Sequence, residues 1–172
     1  MREVVRKPIL VQPADASQSP LYVWNGGANA GPGSPLYVTI DLSQQKAYVF
    51  KNRQNIAWTY VATGRPGFAT PTGTFNISEK IVDKRSNRYG SIVNSAGEVV
   101  NSNATPGSGG GHFVGAPMPY WMRLTSYGVG MHAGAIPYPG APASHGCIRL
   151  PYAMAERIYS EAGYGTRVTI VP

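Results

Sequence analysis

The stretch Ser144-His-Gly-Cys-Ile-Arg-Leu150, read with Gly128-Val-Gly-Met-His-Ala-Gly134, decides how this chain is understood. Cys147 is the only cysteine in 172 residues, so no intramolecular disulfide can form, and it follows His132 by fifteen positions. A thiol of ordinary pKa, about 8.5, is only about 3 % ionised at pH 7, so a cysteine that attacks carbonyl carbon needs a cation, an imidazole or ordered backbone N–H groups beside it. His132 and His145 are both close enough in sequence to lie on neighbouring strands or turns. A cysteine that merely fills a core does not need the open backbone of His145-Gly146, which leaves N–H groups free to point outward. The arrangement reads as a nucleophile with its base.

Outward from these stretches the pattern is that of a β protein. Leu36–Leu42, Lys46–Phe50 and Ile56–Thr63 are short β-branched and aromatic runs, divided at Ser43-Gln44-Gln45 and at Lys51-Asn52-Arg53-Gln54, which predicts a strand meander. Another strand is expected over Thr70–Ile77, where Pro71 presets φ and Thr72-Gly73 supply turn chemistry. Trp121–Leu124 and Tyr127–Met131 read as strands leading to His132, and Thr166–Val171 as a closing strand. Pro151 opens the one convincing helix, Pro151–Ala162, with Met154, Ile158 and Tyr159 as its apolar stripe. Residues 1–35 are polar, rich in Pro and Gly and without sustained periodicity, and are expected to be a flexible arm ahead of a domain over 36–172. The Ser-, Asn- and Gly-rich segment Val82–Gly115 is expected to be a long functional lid, stiffened by a hairpin turning at Ala96-Gly97. With 21 Gly, 15 Pro and 11 Tyr the composition agrees with a turn-rich, mainly β chain.

The chemistry is narrowed by what is missing. No aspartate or glutamate occurs from Val99 to Ala155, so a Cys-His-Asp triad cannot be drawn from this region and a backbone carbonyl is expected to orient the base. His145, two residues before the sulfur, is better placed to donate its N–H than to aim its ring at the thiol; His132, from a separate segment, can approach across the site. The N–H groups of His145, Gly146 and Cys147 are the expected oxyanion donors. Arg149 is placed either to hold a substrate carboxylate bidentately or to pair with Glu156 on the following helix. Met118, Tyr120 and Trp121 are candidates for a substrate wall, or for core. His112, between Gly111 and Phe113, reads as an exposed loop residue. His-Gly-Cys lacks the ligand spacing of a zinc site and no second cysteine supports one, so no metal or cofactor is expected.

These residues carry a specific resemblance. A histidine followed after a short loop by Ser-His-Gly-Cys and an apolar residue resembles the signature of the YkuD-type L,D-transpeptidases, cysteine enzymes of bacterial peptidoglycan. Ala62–Phe75, ATGRPGFATPTGTF, and Gly115–Leu124, GAPMPYWMRL, are similar to further family segments, so the likeness runs from about Leu36 to Pro172. It implies a curved β-sheet sandwich with one short C-terminal helix. It also implies Cys147 as nucleophile, His132 as base with the main-chain oxygen of Ala133 orienting its ring, and a site including Ser144, His145, Gly146 and Arg149. The reaction so implied is acyl transfer: Cys147 attacks the carbonyl at the L-centre of the third residue of a tetrapeptide stem, terminal D-alanine leaves, and a thioester remains. Carbapenems are implied as suicide acyl donors. The acceptor is a stem amine, water (an L,D-carboxypeptidase) or an envelope protein anchored to the wall. A wall-binding module without chemistry is the alternative from another class.

The net charge of +7 favours a polyanionic setting, but the basic residues are scattered and no basic helix or aromatic-basic RNA motif occurs, so nucleic acid is not an expected partner. Stem-peptide carboxylates would serve as the polyanion. No run approaches the length of an apolar membrane span. Because the resemblance puts the substrate outside the cytoplasmic membrane, a periplasmic or envelope location is expected, with the export signal removed and Met1 an expression start.

Overall fold

The structure, a computed structural model, describes residues 21–25 and 35–172. Two sheets and one helix enclose a common core. The first sheet grows from the expected meander: β2 (Leu36–Asp41), β3 (Lys46–Lys51) and β4 (Gln54–Tyr60) pair antiparallel in sequence order. Their alternation sets the register. Val38, Ile40, Val49 and Ile56 are fully or almost fully buried while the residues between Val38 and Ile40, and beside them in β3, face outward. β11 (Arg167–Val171) lies parallel to β2, and β5 (Gly73–Asn76) caps the edge antiparallel to β11.

The expected arm lies largely outside the described residues. Its part within them is no arm: β1 (Tyr22–Trp24) pairs antiparallel with the outer edge of β4, with Val23 buried and the Trp24 ring under the Arg157 guanidinium at 4.3 Å. Three residues are too short to show periodicity, which is why the sequence hides this strand.

The second sheet runs β10-β9-β8-β6-β7, built from β6 (Glu79–Val93), β7 (Val99–Ala104), β8 (His112–Arg123), β9 (Gly130–Ala133) and β10 (Ile148–Leu150). It contains the segment expected as a lid loop. Val82–Gly115 is not irregular: β6 and β8 pair antiparallel from Glu79/Arg123 to Val93/His112, and β7 adds to the far edge. The expected hairpin turn is present, with the Asn94 side chain accepting from the N–H groups of Ala96 and Glu98. The strand pattern is weak because β6 and β7 bury few residues fully, Ile92 and Ala104 among them. Gly90 and Gly115 are required where it folds tightly, since a Cβ at either would meet backbone oxygen at 2.0 or 1.9 Å. Tyr127 falls not in a strand but in the β8–β9 turn, closed by the Thr125 hydroxyl accepting from Val129 N–H at 2.9 Å.

The helix α1 (Tyr152–Glu161) starts at Pro151, as read, and stops where Ala162 leaves helical geometry ahead of Gly163. Met154, Ala155 and Ile158 join the core with Met122, Met131, Ile148, Leu150, Val168 and Ile170. At ten residues it is too short to cross a membrane, and no other described helix is long and apolar enough to do so.

Candidate active site

The site follows from the parallel pairing of β9 with β10, in which Met131 faces Ile148, His132 faces Arg149 and Ala133 faces Leu150. Met131, Ile148 and Leu150 are fully buried and point into the core. Alternation therefore turns Cys147, Arg149 and His132 together to the opposite face. All three line one open cleft of about 1160 Å³, with the β6–β8 ribbon forming its other wall.

His132 is 7 % exposed, and its Nδ1–H donates to the Ala133 carbonyl at 2.8 Å. That bond fixes the ring and leaves Nε2 as the acceptor, the arrangement a general base needs. Burial, reinforced by the Arg149 charge and only partly opposed by the Ala133 bond, pulls its pKa down to about 4, so the imidazole is neutral at pH 7. The Trp121 ring backs it at 6.2 Å, pinned by its indole N–H donating to Glu79 at 2.9 Å. Gly130 makes room: a Cβ there would lie 2.7 Å from that indole.

Cys147 is half-buried, with its S–H directed at the Gly128 carbonyl at 3.6 Å. Burial pushes the thiol pKa up, against a backbone hydrogen bond from Gly130 and the positive charges of Arg149 and Arg123. The resting pair is therefore neutral thiol and neutral imidazole. Both groups are desolvated, which disfavours the charged form of each.

The turn carrying the sulfur is held by residues the sequence did not single out. Thr70, almost fully buried, donates to the Gly146 carbonyl at 2.7 Å and accepts from Gly64 N–H at 2.9 Å. The strand-like segment Ala62–Arg65 brackets the catalytic loop, bonding Arg149 in both directions through Ala62 and Ser144 through Thr63 and Arg65. Gln45, 3 % exposed, holds that segment from behind: its amide donates to Thr63 Oγ1 at 2.7 Å and accepts from Thr63 N–H at 2.9 Å. Thr70 sits inside a quoted motif, so its signal was present; Gln45 looked like an ordinary turn residue.

Other expected residues fall in different places. Ser144 touches the cleft, but its buried hydroxyl donates to the Cys147 carbonyl at 2.5 Å and accepts from Gly146 N–H at 3.0 Å. It shapes the turn rather than meeting substrate. The same bond removes Gly146 N–H from the oxyanion set, while no turn or loop hydrogen bond among the described residues engages the N–H of His145 or Cys147. Gly146 instead contributes a φ of 124°, in the region that favours glycine. The His145 ring is stacked on Tyr89 at 4.1 Å and edge-on to Phe68 at 5.0 Å, with Arg65 Nη2 3.2 Å from its Nε2.

Met118 and Trp121 line the cleft; Tyr120 does not. With φ at 56° Tyr120 turns onto α1, its ring 5.4 Å from those of Tyr152 and Tyr159. The Tyr152 hydrogen bond, burial and the Glu156 carboxylate push its phenol up to about 12. Glu156 thus faces Tyr120, and Arg149 has no ion pair among the described residues. The Arg149 stem lies on Gly134, where a Cβ would sit 3.0 Å from Cγ and Cδ, and its head reaches the Ala135 carbonyl at 3.5 Å. His112 is exposed, at the start of β8.

Residues 35–170 match the family model described as YkuD, L,D-transpeptidase catalytic domain. Among solved structures, the fold is similar to an L,D-transpeptidase from Stackebrandtia nassauensis (22 % identity, TM-score 0.58) and one from Mycobacterium smegmatis (21 %, 0.63), covering 81 % of this chain in each case. It is likewise similar to an L,D-transpeptidase solved in complex with imipenem (23 %, 0.62, 81 % of this chain). The match covers 57 % of the first of those chains and 60 % of the other two, so this chain spans less than two thirds of their length. No curated protein matches it.

Proposed function

The chain belongs to the YkuD family of L,D-transpeptidase catalytic domains, and from that premise we propose that it is a cysteine L,D-transpeptidase acting on peptidoglycan tetrapeptide stems outside the cytoplasmic membrane. The observation that carries the reading is the β9/β10 register, which presents Cys147, His132 and Arg149 on one face with Nδ1 of His132 tied to Ala133 O.

In this mechanism Cys147 attacks as a thiol rather than as a preformed thiolate. The S–H proton passes to Nε2 of His132 while the S–C bond forms at the carbonyl of the third stem residue. The resulting oxyanion accepts from the N–H groups of His145 and Cys147, held in place by Thr70 and Ser144. Collapse breaks the C–N bond to terminal D-alanine, whose amine takes the proton back from His132, and a thioester remains. An amine of a second stem then adds, giving its proton to His132, and the thioester C–S bond breaks to release a cross-linked product and the thiol. Arg149, without a carboxylate partner, holds a substrate carboxylate near the scissile bond. A carbapenem carbonyl would enter the same path and stop at the acyl-enzyme, as the imipenem complex of a structural neighbour suggests.

Incubation with purified muropeptides followed by mass spectrometry tests this. Cross-linked dimers that are absent with Cys147→Ser are expected; trimmed monomers alone would make water the acceptor, and no reaction would leave only a wall-binding role.

A further inference from the structure

The charge of the cleft is one-sided. Lys84, Arg88, Arg123 and Arg149 line it, and no aspartate or glutamate among the described residues does. Glu79 neutralises part of this, pairing with Arg123 at 3.2 Å and more loosely with Lys84 at 3.9 Å. Arg149 and Arg88 have no ion pair among the described residues. Arg149 is half-buried, and burial together with the Arg65 charge works against its cationic form. A guanidinium desolvated beside a second one, with no carboxylate in return, is costly in the free protein and is relieved when a ligand carboxylate arrives.

Arg88 belongs to the other wall. It sits on the bend Ser86–Tyr89, where the β6–β8 register shifts between Arg85 and Gly90 and the Ser86 hydroxyl accepts from the N–H groups of Arg88 and Tyr89 at 3.2 and 3.0 Å. The next residue, Tyr89, is stacked on His145. The bend is thereby anchored to the catalytic loop, and Arg88 is presented to the cleft from a fixed position rather than from a free loop. Arg149 is half-buried and Arg88 exposed, and both line the cleft without an ion pair among the described residues, so each is free to meet a ligand anion.

Resting on the proposed action on stem peptides, we infer that this site selects acidic donor stems. A stem whose carboxylates are free is preferred over the same stem with those groups amidated. Arg149 takes the carboxylate nearest the scissile bond and Arg88 a second one further along the stem, so Arg88 is the specificity-determining residue.

Calorimetric titration of the Cys147→Ser protein with two synthetic tetrapeptides, identical except for free or amidated carboxyls, tests this without needing turnover. The free acid is expected to bind about tenfold more tightly at low ionic strength, with the preference shrinking near about 0.5 M salt as screening tightens. Arg88→Gln in that background should lose the part of the preference that the second carboxylate supplies, leaving only the smaller part that Arg149 supplies. Equal affinities in the parent, a preference for the amide, binding of neither peptide, or a preference undiminished by Arg88→Gln would each overturn the inference. The functional reading fails separately: it falls if the unsubstituted protein forms no thioester with either peptide.

Discussion

Thr70→Val removes one oxygen and keeps the shape, so its effect isolates the bonds that hold the catalytic turn. Thr70 is 6 % exposed, and its hydroxyl serves two buried backbone groups, the Gly146 carbonyl at 2.7 Å and the Gly64 N–H at 2.9 Å. A buried polar group stripped of its partner costs about 1–3 kcal/mol, so two of them lower stability by about 2–6 kcal/mol, against a total of about 5–15 kcal/mol for a typical domain. With a urea m-value of about 2 kcal/mol/M the denaturation midpoint should drop by about 1–3 M. Because Gly146 precedes the nucleophile, acylation of the folded variant by imipenem should slow by about tenfold as the oxyanion donors lose alignment. Thr70→Ser keeps the oxygen and loses a methyl, so it should stay within about 1 kcal/mol of the parent. A valine variant as stable as the parent, or a serine variant as unstable as the valine one, would refute the role given to this hydroxyl.

His132 should make the fold acid-sensitive. Its folded pKa, about 4, lies below the ordinary histidine value, so between about pH 6.5 and 4 the unfolded chain binds a proton that the folded protein refuses, and stability falls as pH falls through that window. The full loss is about 3 kcal/mol at about 1.4 kcal/mol per pKa unit, and it should vanish from the difference between pH 7 and pH 4 in His132→Ala, measured by denaturation at each pH. The thiol gives a third test. Because burial raises the Cys147 pKa, iodoacetamide alkylation should titrate above the ordinary thiol value, and His132→Ala should leave that curve nearly in place while slowing imipenem acylation by about 10²–10⁴-fold. A thiol titrating near neutrality, and moving when His132 is replaced, would restore a preformed ion pair.

Much of the first sheet was legible because β2 and β3 bury one face and wet the other, which prints a period of two on the sequence. Cys147 stood out as the candidate nucleophile because a lone cysteine in an open Gly-containing turn has little packing purpose, and the missing carboxylates of Val99–Ala155 turned attention to a backbone oxygen for His132, whose Nδ1 lies 2.8 Å from Ala133 O. Most of the β6–β8 ribbon was not, since before Trp121 it buries few residues fully and Ser, Asn and Gly there resemble a loop. The direction of Tyr120 depends on a left-handed backbone step within β8, which a non-glycine residue does not announce. The parts played by Thr70, Gln45 and Ser144 are long-range hydrogen bonds, and no local pattern encodes which hydroxyl or amide will meet which distant backbone group.

Intact-mass spectrometry of the protein after incubation with imipenem tests the central claim, that Cys147 is the acylated nucleophile, most directly. The unsubstituted protein is predicted to gain one drug-derived adduct that survives denaturation and is mapped to Cys147, and folded Cys147→Ser to gain none. An adduct on the serine variant, or an unmodified Cys147 in the folded parent, would contradict the account.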